Sequence, residues 1–321
     1  EEENMKIVFA GTPNFSADHL KILQDNKRKI ELVLTQPDKK SGRGNKYNPP
    51  PVKAFAEKVN IRVLQPKRLK NNIEIEHILK EINPDIILVI AYGLIIPKEI
   101  LKIPKIGCIN IHTSLLPRWR GAAPIERCIL NGDTRSGLTF MEMDEGLDTG
   151  PILERFSCEV SPSDTSETLE NKLINISKKK LDDFLSKLEE GDIKKSKQDE
   201  NLATYAEKIT KKETQIIWEK HTSTEIDRMI RSFLTKQGAF TYLGDKRIKI
   251  LKAEKINKNL KLNPGGFLIN KLNEIEVSCK NNSSLRIMLV QLENKTPSPA
   301  QDFTRGYKSL IDFNSSFNSL K

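Results

Sequence analysis

Five short apolar runs, Lys6 to Ala10, Ile30 to Leu34, Ile61 to Leu64, Asp85 to Ala91 and Cys108 to Ile111, alternate with segments of helical periodicity. No other feature constrains the fold as strongly. Short β-branched and aliphatic runs bounded by turn residues read as strands, and strands separated by helices pair in parallel through crossovers. The intervening helices are expected at His19 to Leu23, Val52 to Val59, Asn72 to Ile82 and Ala122 to Leu130. One more strand, Gly137 to Met143, precedes a long helix over Thr165 to Leu188, marked by Leu169, Leu173, Ile176, Leu181, Phe184 and Leu188. Gly11-Thr12-Pro13 reads as a tight turn with Thr12 as N-cap and Pro13 as the first helical residue. The expectation is an α/β fold with a Rossmann-like, mostly parallel sheet over residues 1–189.

Beyond a polar linker at 190–208 the pattern changes. A helix over Ser223 to Phe233 is followed by five short, turn-separated strands: Phe240 to Leu243, Ile248 to Ala253, Gly266 to Ile269, Ile275 to Ser278 and Leu285 to Leu292. This suggests a small C-terminal β-barrel of the oligonucleotide-binding (OB-like) type over 209–321. The charge is uneven too. Of the net +10, Lys211 to Lys321 carries +9, from 20 Lys and Arg against 11 Asp and Glu. A basic half of this kind is a polyanion footprint, although lysines also serve simply to solvate a surface.

No apolar run approaches the length of a membrane span. The acidic leader Glu1 to Asn4 lacks the zones of a signal peptide, and Met5 reads as the natural start. The four cysteines form no CxxC pair and no zinc-type cluster, so free thiols in a reducing cytoplasm and no metal are expected. Gly-x-Gly-x-x-Gly and Gly-x4-Gly-Lys-Ser/Thr are both absent, which disfavours a nicotinamide or nucleoside triphosphate role.

The run Cys108-Ile-Asn-Ile-His-Thr-Ser-Leu-Leu-Pro-Arg-Trp-Arg-Gly-Ala-Ala-Pro124, with Gly146-Leu-Asp-Thr-Gly150 downstream, carries the candidate chemistry. Side chains alternate along a strand, so Cys108, Asn110 and His112 project to one side and Ile109 and Ile111 to the other, where they suit a core. Burying Asn110 and His112 without partners would cost about 1 to 3 kcal/mol each, which favours a strand end at a crevice. If the Asp148 loop folds back, its carboxylate orients His112 or takes up a proton; the alternative is an aspartate that caps its own turn. Ser114 to Pro117 is suited to line a pocket. Arg118, Trp119 and Arg120 offer cationic and stacking surfaces, or a loop in which Trp119 only packs. Gln36 to Pro51 reads as a long turn-rich stretch, in which Lys39, Lys40, Arg43 and Lys46 place four positive charges in a glycine-containing loop.

Taken together, these residues resemble the methionyl-tRNA formyltransferase family, from Phe9-Ala-Gly-Thr-Pro13 to Ala203-Thr-Tyr-Ala-Glu-Lys208. The resemblance implies transfer of a formyl group from 10-formyltetrahydrofolate to initiator methionyl-tRNA. It also implies Asn110, His112 and Asp148 as the catalytic trio and Ser114, Leu115, Leu116 and Pro117 as the folate border. The Arg43 loop would then wedge into the acceptor arm of the tRNA. Phe233-Leu-Thr-Lys-Gln237 departs from the usual Phe-Asn-Pro-Trp-Pro, and Thr113 and Pro151 are lesser departures. A monomer is the default. The rivals are a formyltransferase for a small amine, which has no need of the Gly-Arg-Gly loop or a basic domain, and a non-enzymatic RNA-binding protein, in which the trio would be idle.

Overall fold

The apolar runs become strands because aliphatic side chains on both faces of a sheet can be covered by helices, and here they are. The computed structural model describes residues 5–41 and 46–318. The chain divides into two units, one of Glu1–Pro124, Arg135–Glu159 and Glu170–Ala206, the other of Ile125–Thr134, Val160–Leu169 and Glu207–Lys321. The chain begins with β1 (Ile7–Gly11), α1 (Asn14–Asp25) and β2 (Ile30–Leu34). A hairpin of β3 (Lys39–Ser41) and β4 (Lys46–Asn48) occupies the stretch expected to be all turn. Next come α2 (Pro51–Lys58), β5 (Val63–Leu64), α3 (Ile73–Ile82), β6 (Ile86–Ile90), α4 (Lys98–Leu101) and β7 (Gly107–His112). The series continues through β8 (Arg120–Gly121), α5 (Pro124–Asn131), β9 (Arg135–Glu142), β10 (Ile152–Glu159), α6 (Ser166–Glu190) and β11 (Tyr205–Ala206).

The first unit's seven-stranded sheet has the order β10-β9-β7-β6-β1-β2-β5. The five strands from β7 to β5 are parallel, with Ala10 opposite both Leu34 and Val89, and Val89 opposite Asn110. From β1 the chain builds first toward β2 and β5, then returns on the other side as β6 and β7. The reversal opens a crevice at the carboxyl ends of β1, β6 and β7, the place where such sheets bind ligands. Gly11, at the end of β1, is required by close packing: a Cβ there would sit 2.6 Å from Ser16 Cβ and 2.9 Å from Ile90 O. The expected cap of α1 is corrected. Pro13 is itself the N-cap, and Thr12 Oγ1 donates instead to the Tyr92 carbonyl at 2.8 Å.

Antiparallel β9 and β10 complete the sheet, with His112 opposite Thr139. No strand was expected at β10, because its outer half alternates between half-buried and exposed residues, as an edge strand does.

The second unit contains α7 (Ser223–Phe233), whose start is fixed by reciprocal bonds between Thr222 and Glu225. It is followed by β12 (Phe240–Leu243), β13 (Lys246–Ile256), β14 (Phe267–Ile269), β15 (Ile275–Ser278), β16 (Ser284–Leu292), β17 (Ser298–Pro299), α8 (Ala300–Gly306) and α9 (Lys308–Phe313). The five expected strands form one curled antiparallel sheet, β12-β13-β16-β15-β14. The tail pairs with both outer strands' ends, Asn318 with Tyr242 and Ser316 with Gly266. The buried core of this unit includes Trp218 stacked on Phe317 at 5.7 Å.

Candidate active site

β7 begins in the core and ends at the crevice. Cys108 packs with Val8, Leu32 and Ile87, and burial pushes its thiol up to about 12. The expectation that only the isoleucine face suits a core is therefore corrected: both faces are covered at the strand's start. Two residues further on, the same face carries Asn110, and then His112 at the strand's end.

The Asp148 loop folds back onto them. Asp144 ties the loop by accepting bonds from Gly146 N–H at 2.9 Å and Thr149 Oγ1 at 2.6 Å. Asp148 adopts a left-handed backbone conformation, φ +54°, which aspartate tolerates better than most residues. Its Oδ2 accepts the Gly121 N–H at 2.8 Å and lies 3.6 Å from His112 Nδ1; its Oδ1 accepts from Asn110 Nδ2 at 3.4 Å. The alternative of an aspartate that merely caps its own turn does not describe this carboxylate.

His112 is held from its other side. Nε2 lies 2.8 Å from the Trp119 carbonyl oxygen, so it carries a proton and donates it. Nδ1 is thereby left as the nitrogen that faces Asp148. Trp119, at φ +63°, provides that carbonyl, while the Arg118 guanidinium lies 4.5 Å from its ring centroid.

Arg120 is not a cationic surface. It is fully buried. Its guanidinium forms two 2.8 Å bonds with the Glu200 carboxylate and donates to Gln198 Oε1 from Nε and Nη2 at 3.1 and 2.9 Å. The Arg120 guanidinium also holds the Glu200 carboxyl below the usual carboxylate range. Gln198 in turn donates to the Asp148 and Gly150 carbonyls at 2.8 and 2.7 Å. A chain of contacts thus runs from Glu200 through Arg120 and Gln198 to the backbone of the Asp148 loop. Sequence reasoning missed it, since Gln198 and Glu200 sit in the segment read as a linker. That segment also carries β11, which pairs in parallel with β8. Gly121 is tight against it: φ is +117°, and a Cβ would meet Ala206 O at 2.9 Å.

The turn from Ser114 to Pro117 is held by one local bond and by Thr139 of β9. Ser114 Oγ donates to Arg118 O at 2.6 Å, Thr139 Oγ1 donates to Ser114 O at 2.6 Å, and Leu116 N–H donates to Thr139 Oγ1 at 3.0 Å. Leu116 is buried with Met141 and Ile152, Pro117 is buried, and Leu115 is half-buried. Two large apolar side chains remain exposed in the loops after β6 and before Asp148, namely Ile95 at 89% and Leu147 at 60%. Lys98 and Glu145 join these loops at 2.6 Å.

Of the basic loop, Lys39 and Lys40 lie on β3, with Lys39 donating to Gln36 Oε1 at 2.7 Å and Lys40 over the Tyr47 ring. Arg43 and the side chain of Lys46 lie outside the described residues. Gln65 and Lys53 anchor the hairpin's base through Asp38, whose carboxyl they hold below its ordinary value. Among the described residues no group of three His, Cys, Asp or Glu could hold a metal ion, and no helix is long and apolar enough to cross a membrane.

The Formyl transferase family model matches residues 5–184, and that of the Formyl transferase C-terminal domain matches 208–308. The chain is 44% identical over 303 residues to the methionyl-tRNA formyltransferase of Nitrosomonas eutropha, covering 94% of this chain and 95% of the relative. It belongs to the methionyl-tRNA formyltransferase family. Two solved structures share the fold. The methionyl-tRNA formyltransferase of Clostridium thermocellum has a TM-score of 0.56 and 22% identity, covering 81% of this chain and 96% of that one. A sugar 3N-formyl transferase, seen with dTDP and 5-N-formyl-THF, has a TM-score of 0.64 and 22% identity, covering 92% and 100%.

Proposed function

We propose that this chain transfers the formyl group of 10-formyltetrahydrofolate to the amino group of initiator methionyl-tRNA, giving the N-formylmethionyl-tRNA used to start translation. The observation that carries the chemistry is the Asp148 carboxylate meeting both Asn110 and His112 at a strand end. The preference for tRNA over a small amine rests on likeness along nearly the whole chain, second unit included.

The folate supplies a formyl carbon on N10, which the neutral amine attacks; the N–C bond forms first as the C=O electron pair moves onto oxygen, and the C–N10 bond breaks when that pair returns. Asn110 Nδ2 has a second proton free to meet the oxygen on which negative charge develops. His112, with Nε2 committed to Trp119, presents Nδ1; when protonated it is held by Asp148 and stabilises the same charge. Asp148, directly or through water, collects the proton that the amine loses, and N10 takes up a proton as it leaves. The exposed side chains of Ile95 and Leu147 offer apolar surface to the faces of a folate's rings, whose polar edges need other partners. Ser114 and Leu116 would border it chiefly by shaping the loop. Lys39, Lys40, Arg43 and Lys46 would contact tRNA phosphates.

Incubation with 10-formyltetrahydrofolate and methionyl-tRNA, with a free amino sugar as competitor, tests the reading. Formyl should appear on the tRNA alone. Formylation of the sugar in preference overturns the substrate assignment, and no transfer to either overturns the activity. With Arg43→Ala, tRNA kcat/KM should fall while the folate KM is unchanged.

A further inference from the structure

The turn that follows β6 is strained at its first residue. Ala91 has φ +45°, a left-handed conformation in which the Cβ crowds the backbone and alanine has no side-chain bond to offer in return. Strain of this kind persists only where the surroundings over-determine it, and it clusters at ligand clamps. The side chains of Tyr92 and Ile96 are anchored in the core beneath the sheet's end, whereas Ile95 between them is exposed.

What over-determines the turn is the carbonyl of Tyr92. It accepts from Thr12 Oγ1 at 2.8 Å and from Gln36 Nε2 at 3.1 Å. The two donors come from the ends of the neighbouring strands β1 and β2, and they are tied to each other, since the Gln36 N–H donates to Thr12 Oγ1 at 3.4 Å. Gln36 is itself held on every side. Its backbone carbonyl accepts from Gln65 Nε2 at 2.9 Å, and its Oε1 accepts from Lys39 Nζ at 2.7 Å. With Oε1 committed to an ammonium, only the NH₂ group can face Tyr92, which settles the orientation of the amide.

We propose that Thr12 and Gln36 are positioning residues for the folate: by clamping the Tyr92 carbonyl they hold the strained turn in the conformation that presents Ile95 to the folate's ring face. This deepens, and rests on, the reading that the folate lies along that turn. Without the clamp the turn relaxes toward unstrained conformations, and the apparent affinity falls by the fraction of molecules that keep the competent one. Asn110, His112 and Asp148 make none of these bonds, so the loss belongs to folate binding rather than to the chemical step. Thr12 and Gln36 act through Tyr92, without touching the folate.

The test uses the full-length protein, with calorimetric binding of 5-formyltetrahydrofolate as an unreactive probe, steady-state formylation alongside, and circular dichroism to verify folding. Gln36→Met keeps the bulk of the side chain and removes the donor. Its Kd for the probe and its KM for 10-formyltetrahydrofolate should both rise about fivefold to tenfold, the equivalent of one hydrogen bond, while kcat at saturating folate stays near that of the parent. Gln36→Glu keeps a partner for Lys39 but turns a carboxylate oxygen toward the Tyr92 carbonyl, so it should bind the probe at least as weakly as Gln36→Met. Thr12→Val should show the same loss, and Thr12→Ser, which restores the hydroxyl, should recover the parent Kd. Parent-like binding by folded Gln36→Met or Thr12→Val overturns the clamp. Parent-like binding by Gln36→Glu does so too, because the contact that matters would then be the one to Lys39. A fall in kcat with Kd and KM unchanged also overturns it. The two assays separate this proposal from the function it rests on. A parent that formylates methionyl-tRNA while every variant binds the probe normally loses only the clamp; one that binds the probe through Gln36 and Thr12 without forming product loses only the activity.

Discussion

Asn110 Nδ2 carries two protons, and Asp148 Oδ1 engages at most one of them, at 3.4 Å. The other can meet an oxygen bound to the formyl carbon. Asn110→Ala removes that donor without opening a core cavity, because Asn110 is only half-buried at the end of its strand. Its kcat should fall about 10²- to 10³-fold with the folding transition unchanged; turnover near that of the parent would remove Asn110 from the chemistry. Gln198 acts one step back, by holding the backbone of the Asp148 loop rather than the carboxylate. Gln198→Leu leaves two carbonyls and the Arg120 fork short of a partner. The expected result is a loss of about tenfold to a hundredfold in kcat, as for a displaced reactive group, with the folate KM little altered. If kcat holds while only the folate KM rises, Gln198 serves folate binding instead.

Elements whose register is set by their own side chains were legible in the sequence, and those set by distant partners were not. β2 and α7 occupy their expected bounds because one is an aliphatic run interrupted only by Glu31 and the other has a reciprocal cap at Thr222 and Glu225. The tail at residues 315–318 carried no apolar run, since it bridges β12 and β14 largely through backbone pairing. At the site, strand alternation put Asn110 and His112 on one face, but no spacing rule brings in Asp148 or the strap holding Gln198 and Glu200. α1 and α6 make a contact of the same hidden kind: buried His19 donates from Nδ1 to Phe15 O at 2.7 Å and accepts at Nε2 from Ser177 at 2.7 Å. Burial lowers its pKa from 6.5 to about 4. Between those values the unfolded chain binds a proton that the folded one does not. This contribution is intact above about pH 6.5, shrinks as pH falls, and is fully lost below about 4, amounting to about 3 kcal/mol. Urea unfolding at the two ends of that window should show the loss in the parent and much less of it in a His19→Leu, Ser177→Ala pair. Equal pH dependence in both proteins would mean that other groups control acid stability.

At the scale of the whole molecule, +9 of the net +10 belongs to residues 211–321, so residues 1–210 are close to neutral. Residues 1–210, which carry the chemistry, and the basic residues 211–321, which form the curled sheet, should respond differently to ionic strength. Phosphates neutralised by lysine and arginine release counterions, and each adds about 0.9 to the slope of log affinity against log salt for a duplex. Neutralising only two would weaken tRNA binding by about tenfold between 50 and 200 mM salt. The folate site proposed above lies among residues 1–210, which are close to neutral, so the folate KM should change far less over the same range. Steady-state formylation should therefore lose kcat/KM for tRNA steeply with salt while the folate KM and the kcat at saturating tRNA stay nearly level. If both substrates weakened in parallel, salt would be acting on the catalytic crevice. If neither did, the basic unit would be a solvated surface, and recognition of the tRNA would have to reside in the hairpin of β3 and β4 and the crevice beside it.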